Sequence, residues 1–187
     1  MASPLIFAGV EVSSEGKPVT FTTLDRELNI LRLEKLSISE TLSCLKETER
    51  VSLVINSSAQ KKDNRMLVSF KRRIADLGDD TQLQVMITDA QKCFFAFCGN
   101  KLFPRRTLEG RIQRALILYD EGLQVPDPMD FFEEITRHKL LRGILPLENI
   151  HTSKELDALV AAYMAWMNVH RPNQVTLDGN VIHPAQE

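Results

Sequence analysis

The chain lacks the short patterns that identify several common enzyme classes. It has no Walker loop, no G-x-G-x-x-G and no G-x-S-x-G segment, which argues against P-loop NTPases, dinucleotide-binding enzymes and α/β-hydrolases. Its cysteines, Cys44, Cys93 and Cys98, form an odd set without a C-x-x-C pair, and no histidine has a second histidine or cysteine at metal-ligand spacing. A disulfide framework and a structural zinc site are therefore disfavoured, and a reducing cytoplasm is the expected compartment.

Long hydrophobic runs and an excess of positive charge are also missing. No apolar run approaches the roughly 20 residues that cross a bilayer, and residues 1–7 have neither a basic leader nor a long apolar core, so we expect no membrane partner and no signal peptide. The formal net charge is -2 with a pI near 6.1. That balance does not indicate a generally basic nucleic-acid binder, but it is compatible with a local basic surface.

What the chain does have is enough apolar material for a sizeable core. It contains 187 residues, of which 43% are hydrophobic, with no repeat, no low-complexity tract and no convincing linker. We expect a single domain over residues 1–187.

The first third of the chain alternates strand patterns with turns. Residues 5–12, 19–24 and 28–36 are rich in β-formers and closely spaced, which predicts three antiparallel strands in two hairpins. A capping-box pair, Ser37 and Glu40, then predicts a short helix to about residue 48, followed by a compact apolar strand at residues 51–55. This order predicts an α/β protein with a sheet of mixed strand direction.

Helical patterns dominate the rest. We expect helices over residues 61–77 and 108–121 and a further helix from Asp127 to Gly143, with a strand at residues 83–87. Residues 93–97 form an apolar run compatible with either state, and the C-terminal segment from residue 175 predicts a hairpin that turns at residues 178–180.

The segment from Thr152 to Trp166 carries the most information. Thr152 and Glu155 have capping-box spacing, and the helix that follows is apolar on nearly every side, which predicts burial. Asp157 is the exception, because a buried carboxylate needs a cation, a hydrogen bond or a metal. The alternative is that Asp157 interacts with the helix N-terminal dipole and contacts water.

Two strand ends carry further candidates for a metal site. Glu11 lies near the end of the first strand, where its carboxylate could bind a divalent cation, although lone strand acids are more often solvated. Asn56 follows the strand at residues 51–55, where a two-metal site would need an acid. Its amide oxygen could coordinate a cation but supplies no charge.

Two basic segments could meet phosphate. One set is Lys61, Lys62, Arg65, Lys71, Arg72 and Arg73, and the other is Lys101, Arg105, Arg106, Arg111 and Arg114. The second set surrounds a predicted helix start, which is a favourable place for a phosphate. The alternative for both sets is a solvated charged surface. Gly110, one turn inside that helix, costs roughly 1 kcal/mol against alanine and so indicates a close approach.

The order of these elements resembles the RNase H-like fold. More closely, the chain resembles the predicted RNase H-like nucleases known as domain of unknown function four-two-nine. Gly9-Val10-Glu11 is similar to that family's opening Gly-Val/Ile-Asp strand, and Ile55-Asn56-Ser57-Ser58 to its Ile-Asp-Ala-Pro strand end. Residues 105–114 resemble its Lys-Lys-Ser/Thr-x-Glu-Gly-x-x-x-Arg segment, and residues 155–163 its Asp-Ala-Leu-Ala-Ala-Ala helix.

The resemblance implies an RNase H-like mixed central sheet with helices on both faces and a Mg²⁺- or Mn²⁺-dependent phosphodiesterase. In that reading Glu11 and Asp157 are catalytic, and they bind the metal together with Asn56. Nucleic-acid phosphate is then bound by three arginines, Arg105, Arg106 and Arg114.

The departures from the family pattern reduce the expected activity. Glu11 replaces an aspartate, Asn56 replaces an acid, and the stretch Ile87-Thr88-Asp89-Ala90 lacks the glutamate of the family's Glu-Val-Tyr/His-Pro strand. A two-metal mechanism needs several carboxylates to hold two cations about 4 Å apart. We therefore expect a nucleic-acid-associated protein with weak or lost hydrolysis. The alternatives are a non-catalytic interaction or scaffold domain on the same fold and, more remotely, a sugar- or nucleotide-binding protein.

Overall fold

The strands of the protein form one sheet, and a computed structural model describes them together with the rest of residues 4–12, 17–57, 65–76, 82–99, 101–148 and 150–185. In chain order the strands are β1 (Ile6–Glu11), β2 (Val19–Leu24), β3 (Ile30–Leu36), β4 (Arg50–Asn56), β5 (Gln82–Thr88), β6 (Val175–Asp178) and β7 (Val181–Pro184). The helices are α1 (Ile38–Lys46), α2 (Arg65–Ala75), α3 (Ala90–Cys98), α4 (Leu108–Asp120), α5 (Asp130–Glu133), α6 (Arg137–Leu141) and α7 (Ser153–His170).

The sheet has the order β3-β2-β1-β4-β5-β7-β6. The strands β1, β2 and β3 are antiparallel neighbours joined by short connections. Next to them, β4 and β5 run parallel to β1 because α1 and α2 provide the crossovers, and β7 continues this direction beside β5. The predicted mixed sheet, the two initial hairpins and the C-terminal hairpin are confirmed.

Helices cover both faces of the sheet, as predicted. On one face α1 and α2 pack against side chains that include Ala8, Val10 and Leu53. On the other face α7 packs with α3 and α4 against Phe7 and Val54, the alternate residues of the same two strands. The two-residue period of a strand thus sends one set of side chains to each core.

The structure settles one open sequence-based assignment and overturns another. Residues 93–97 belong to the helix α3, which Asp89 caps by accepting hydrogen bonds from the N–H groups of Gln91 and Lys92. The single helix predicted from Asp127 to Gly143 is wrong, because the chain forms the two short helices α5 and α6. Thr136 is extended there and caps α6 by accepting from the N–H of Lys139, which separates the two.

The structure also bears on the predicted bounds of α2, on whether a helix could span a membrane, and on the cysteines. The helix predicted over residues 61–77 is seen from Arg65 to Ala75, while Lys61 and Lys62 lie outside the described residues. Across the described ranges, no helix is long and apolar enough to cross a bilayer. All three cysteines are free thiols.

Candidate functional site

Three polar residues lie in one row across the carboxyl ends of the parallel strands. Glu11 of β1 is in register with Asn56 of β4, and Asn56 is in register with Thr88 of β5. All three side chains point to the face covered by α7, because they continue the alternation that buries Phe7 and Val54 there. The row is buried, and Glu11 is only 8% exposed.

The helix α7 comes unusually close to this row. A Cβ atom added to Gly9 would lie 2.5 Å from the amide nitrogen of Ala162 and still closer to the carbonyl oxygen of Ala158. Only glycine permits this approach of helix backbone to strand backbone. The side chain of Asp157, adjacent to Ala158, is thereby brought to the sheet, where it is 4% exposed.

Arg105 joins the two acids. Its Nη2 donates a hydrogen bond to Oδ2 of Asp157 and lies 3.6 Å from Oε1 of Glu11. Glu11 and Asp157, 146 positions apart in the sequence, therefore share one guanidinium. One third of the Arg105 side chain is exposed, whereas both acids are buried.

Asn56 uses both ends of its amide. Its Oδ1 accepts a hydrogen bond of 2.8 Å from the N–H of Ala90, and its Nδ2 donates to Oε2 of Glu11. A backbone N–H can only donate, so the amide oxygen must face Ala90 and the NH₂ must face Glu11. In this orientation Asn56 offers a hydrogen-bond donor, and not an oxygen ligand, to the space between the acids.

Burial controls the protonation of the pair. Burial, together with the charge of Asp157, raises the pKa of Glu11 to about 7, although the Asn56 hydrogen bond and Arg105 oppose part of the shift. Burial also raises the pKa of Asp157 to about 6, against the opposing effect of Arg105. One guanidinium balances one carboxylate, so the site is neutral when the coupled pair holds one proton. The two acids lie against one guanidinium, so this proton belongs to the pair as a whole.

The segment that carries Arg105 is fixed to α4 and α7. Gln113 accepts a hydrogen bond of 2.8 Å from the N–H of Phe103 and donates one of 3.2 Å to the carbonyl of Lys101. Ser153, at the start of α7, donates a bond of 2.7 Å to the carbonyl of Arg105. The close approach expected at Gly110 is present, because an added Cβ would be 2.9 Å from the carbonyl carbon of Pro104 and closer to its oxygen.

Arg114 holds this segment in place through hydrogen bonds from the protein interior. It is 0% exposed, and its Nη1 donates to the carbonyls of Phe103 (3.1 Å) and Gly110 (2.8 Å). Its Nη2 donates to Oε1 of Gln91 at 2.9 Å, and its guanidinium carbon lies 5.6 Å from the centre of the Phe94 ring. Burial lowers the pKa of Arg114. In this arrangement Arg114 offers no donor to a phosphate arriving from solvent, unlike Arg105 and the exposed Arg106.

A second arginine of the predicted basic segment is also engaged within the protein. Arg111 donates from Nε to the carbonyl of His151 at 2.8 Å and from Nη2 to that of Ile150. These bonds fix the turn that leads into α7. The basic segment thus divides into Arg111 and Arg114, which hold the fold, and Lys101, Arg105 and Arg106, which reach the surface.

An open cleft of about 550 Å³ adjoins Arg105. Its lining consists of Gln91, Lys101, Leu102, Phe103, Pro104 and Arg105. Phe103 is 54% exposed, which is high for a phenylalanine, and Lys101 is exposed beside it. The cleft therefore presents two cationic groups and an aromatic ring next to the buried acids.

Sequence reasoning missed one member of the site, Thr88, and the pairing of Arg105 with the two acids. The row position on β5 is Thr88, which donates a hydrogen bond of 2.8 Å to the carbonyl of Ile182, while the acid considered there, Asp89, caps α3 instead. Arg105 was predicted to bind phosphate but not to pair with the acids. A signal existed, since a buried Asp157 required a partner, but sequence spacing does not reveal which of the cations reaches it.

The residues present do not match a two-metal centre. Within the described ranges, no group of three or more histidine, cysteine, aspartate or glutamate side chains is placed to hold a metal ion. Both acids contact Arg105, and the amide oxygen of Asn56 is bonded to Ala90. The oxygen atoms of the two acids are therefore arranged to bind a guanidinium and not a pair of metal ions.

Comparison with known proteins supports the fold. No protein-family model and no curated protein matches the chain. Among solved structures, RuvC of T. thermophilus in complex with a Holliday junction substrate is similar, with a TM-score of 0.52 and 13% sequence identity over 97% of this chain and 99% of that chain. The match confirms the predicted RNase H-like topology, a mixed sheet with flanking helices, over nearly the whole chain.

Proposed function

We propose that this protein binds nucleic-acid phosphates beside Arg105 and that its metal-dependent hydrolysis is weak or absent. The observation that carries the proposal is the position of Arg105, whose partly exposed guanidinium lies between the buried acids and the cleft lined by Lys101 and Phe103. We also propose that the chain is a diverged relative of the domain four-two-nine nucleases, on the strength of the four segments it shares with them.

Phosphate recognition is supported by the groups at the cleft. Guanidinium and ammonium groups bind phosphate oxygens strongly, and Arg105, Arg106 and Lys101 all reach the surface within one short segment. The exposed ring of Phe103 offers a face on which an unpaired base can stack. The RNase H-like fold, which RuvC uses in its complex with a Holliday junction, is compatible with this role.

Weak hydrolysis is supported by the shortage of negative charge. A two-metal phosphodiesterase needs several carboxylates around its cations, and the row across β1, β4 and β5 supplies one carboxyl, one amide and one hydroxyl. Asp157 adds a second carboxyl, but both acids contact Arg105. A Mg²⁺ or Mn²⁺ ion would therefore have to displace a guanidinium before it could assist hydrolysis.

Binding can be tested by fluorescence anisotropy with labelled single-stranded DNA, duplex DNA, a four-way DNA junction and RNA. We expect affinity to fall steeply between 50 and 200 mM salt, since each neutralised phosphate releases counterions, and Lys101→Ala to reduce the salt slope by about one. Lys46→Ala is the matched control, because Lys46 is exposed at the end of α1 on the opposite face of the sheet. A salt-independent signal, or equal loss in the two variants, would exclude this site.

The second candidate is a non-catalytic interaction or scaffold domain. The pairing of Arg105 with both acids favours it, because the site is charge-balanced without any ligand once one proton is bound. This candidate predicts no nucleic-acid binding in the anisotropy experiment. It also predicts that Lys101→Ala and Lys46→Ala both behave as the unmodified protein.

A further inference from the structure

We propose that the guanidinium of Arg105 takes the place of a divalent cation between Glu11 and Asp157, and that removing Arg105 converts the pair into a site for one such cation. This inference deepens the proposed function, since it names the cause of weak hydrolysis. Its test requires no nucleic acid, so it can succeed or fail independently of phosphate binding.

The first argument is that the guanidinium and a bridging cation would contact the same two carboxylate oxygens. A single nitrogen, Nη2 of Arg105, contacts Oδ2 of Asp157 and approaches Oε1 of Glu11, so these two oxygens face a common point. The other oxygen of Glu11 is already bonded to the amide of Asn56. A cation that bridged the acids would use the same two oxygens and the same space, and it therefore competes with the guanidinium directly.

The second argument is that Arg105 is held in place. The carbonyl of Arg105 accepts a hydrogen bond from Ser153, and Pro104 contacts Gly110 so closely that a methyl group would not fit there. A backbone fixed at two neighbouring points presents the side chain to the acids and lowers the entropy lost in the pairing. The guanidinium is therefore a built part of the site and a strong competitor for metal.

The third argument is the electrostatic state left behind when Arg105 is removed. Two buried carboxyls would then lack their contacting cation, while Lys154 and Arg114 act on them only through space. Buried carboxylates without a partner are unfavourable. They must take up protons or bind a cation, and oxygen ligands of this kind suit Mn²⁺ and Mg²⁺.

The experiment is a Mn²⁺ titration of metal-free protein at pH 7.5, followed by calorimetry and by the electron paramagnetic resonance signal of free Mn²⁺. We expect Arg105→Ala to bind about one Mn²⁺ per chain at least about tenfold more tightly than the unmodified protein, a difference of about 1.4 kcal/mol. Arg106→Ala, which removes an exposed neighbouring arginine, should bind no better than the unmodified protein. Adding Asp157→Asn to Arg105→Ala should abolish the new binding.

Two further variants separate charge from shape. Arg105→Lys keeps a cation near the acids and should leave Mn²⁺ binding weak, whereas Arg105→Gln keeps a long side chain without charge and should bind Mn²⁺ more tightly than Arg105→Lys. If Arg105→Ala unfolds in metal-free buffer, we expect Mn²⁺ to restore its native circular dichroism spectrum. Equal Mn²⁺ affinity in the unmodified and Arg105→Ala proteins, or failure of Mn²⁺ to restore an unfolded Arg105→Ala, would overturn the proposal.

Discussion

Replacement of Gly9 by alanine tests the contact that builds the site. The added Cβ would lie 2.5 Å from the amide nitrogen of Ala162 and closer to the carbonyl of Ala158, both of them backbone atoms of α7. Backbone cannot rotate away as a side-chain end can, so the helix or the strand must move. Since ordinary contact begins at 3.4 Å, the displacement is at least about 0.9 Å.

The cost of that movement follows from the position of α7. The helix lies in the core formed with α3, α4 and the sheet, and its residues from Leu156 to Ala165 are all buried. When two packed atoms move apart by 0.5–1 Å, their contact loses about a quarter to a half of its dispersion energy. Overpacking typically costs about 1–3 kcal/mol, and a whole displaced helix belongs at or above the upper end. We expect Gly9→Ala to lower the free energy of unfolding by about 3–4 kcal/mol.

Urea denaturation followed by circular dichroism measures this change, and Gly179→Ala is the control. Gly179 has a φ of +60° and nothing within 4 Å of an added Cβ, so alanine there meets only conformational strain of about 1–2 kcal/mol. Gly9 does not have a positive φ, so Gly9→Ala carries no such strain and its whole loss of stability reports the steric contact with α7. If Gly9→Ala proves no less stable than the Gly179→Ala control, the close approach of β1 and α7 is refuted.

Two more changes test protonation and the Arg105 segment. The folded pKa of Glu11, about 7, exceeds its ordinary value of 4.5, so its contribution to stability is complete below pH 4.5 and is lost as pH rises through 7. In urea denaturation between pH 5 and 8, Glu11→Gln should therefore gain up to about 3 kcal/mol relative to the unmodified protein; an unchanged difference would contradict the burial of a titrating Glu11. The Gly110→Ala substitution should displace Pro104 and with it Arg105. We then expect the Mn²⁺ affinity, measured by calorimetry, to rise toward that of Arg105→Ala. An unaltered affinity in a folded Gly110→Ala protein would count against this coupling.

The sequence predicted the fold better than the site because periodicity is a local signal. The β-formers in residues 19–24 and the capping boxes at Ser37 and Thr152 act within a few residues, and the structure has the strand and both capping boxes. The helix predicted from Asp127 failed for a local reason as well. Thr136 can cap a helix as readily as occupy one, and its extended backbone is set by the surrounding chain.

The partners of Asp157 could not be predicted in the same way. The apolar helix around Asp157 left two possibilities open, a buried carboxylate or one in contact with water, and the structure shows the buried one. Five cations lie between residues 101 and 114, and sequence spacing did not identify Arg105 as the one that reaches the acids. That choice depends on Gly110 and Ser153, which place the segment against α4 and α7. Likewise, the orientation of the Asn56 amide depends on the N–H of Ala90, in a different element.

The charges of the site balance only when its residues are considered together. An aspartate at position 56 would place three carboxyls around one guanidinium, and its oxygen would face Glu11 where Asn56 now donates a hydrogen bond. Such a site would need a metal or additional protons to be stable in the core. With asparagine, one guanidinium and one proton suffice. The neutral residue at position 56 and the arginine at position 105 are therefore complementary: the amide lowers the negative charge to a level that a single side-chain cation can balance.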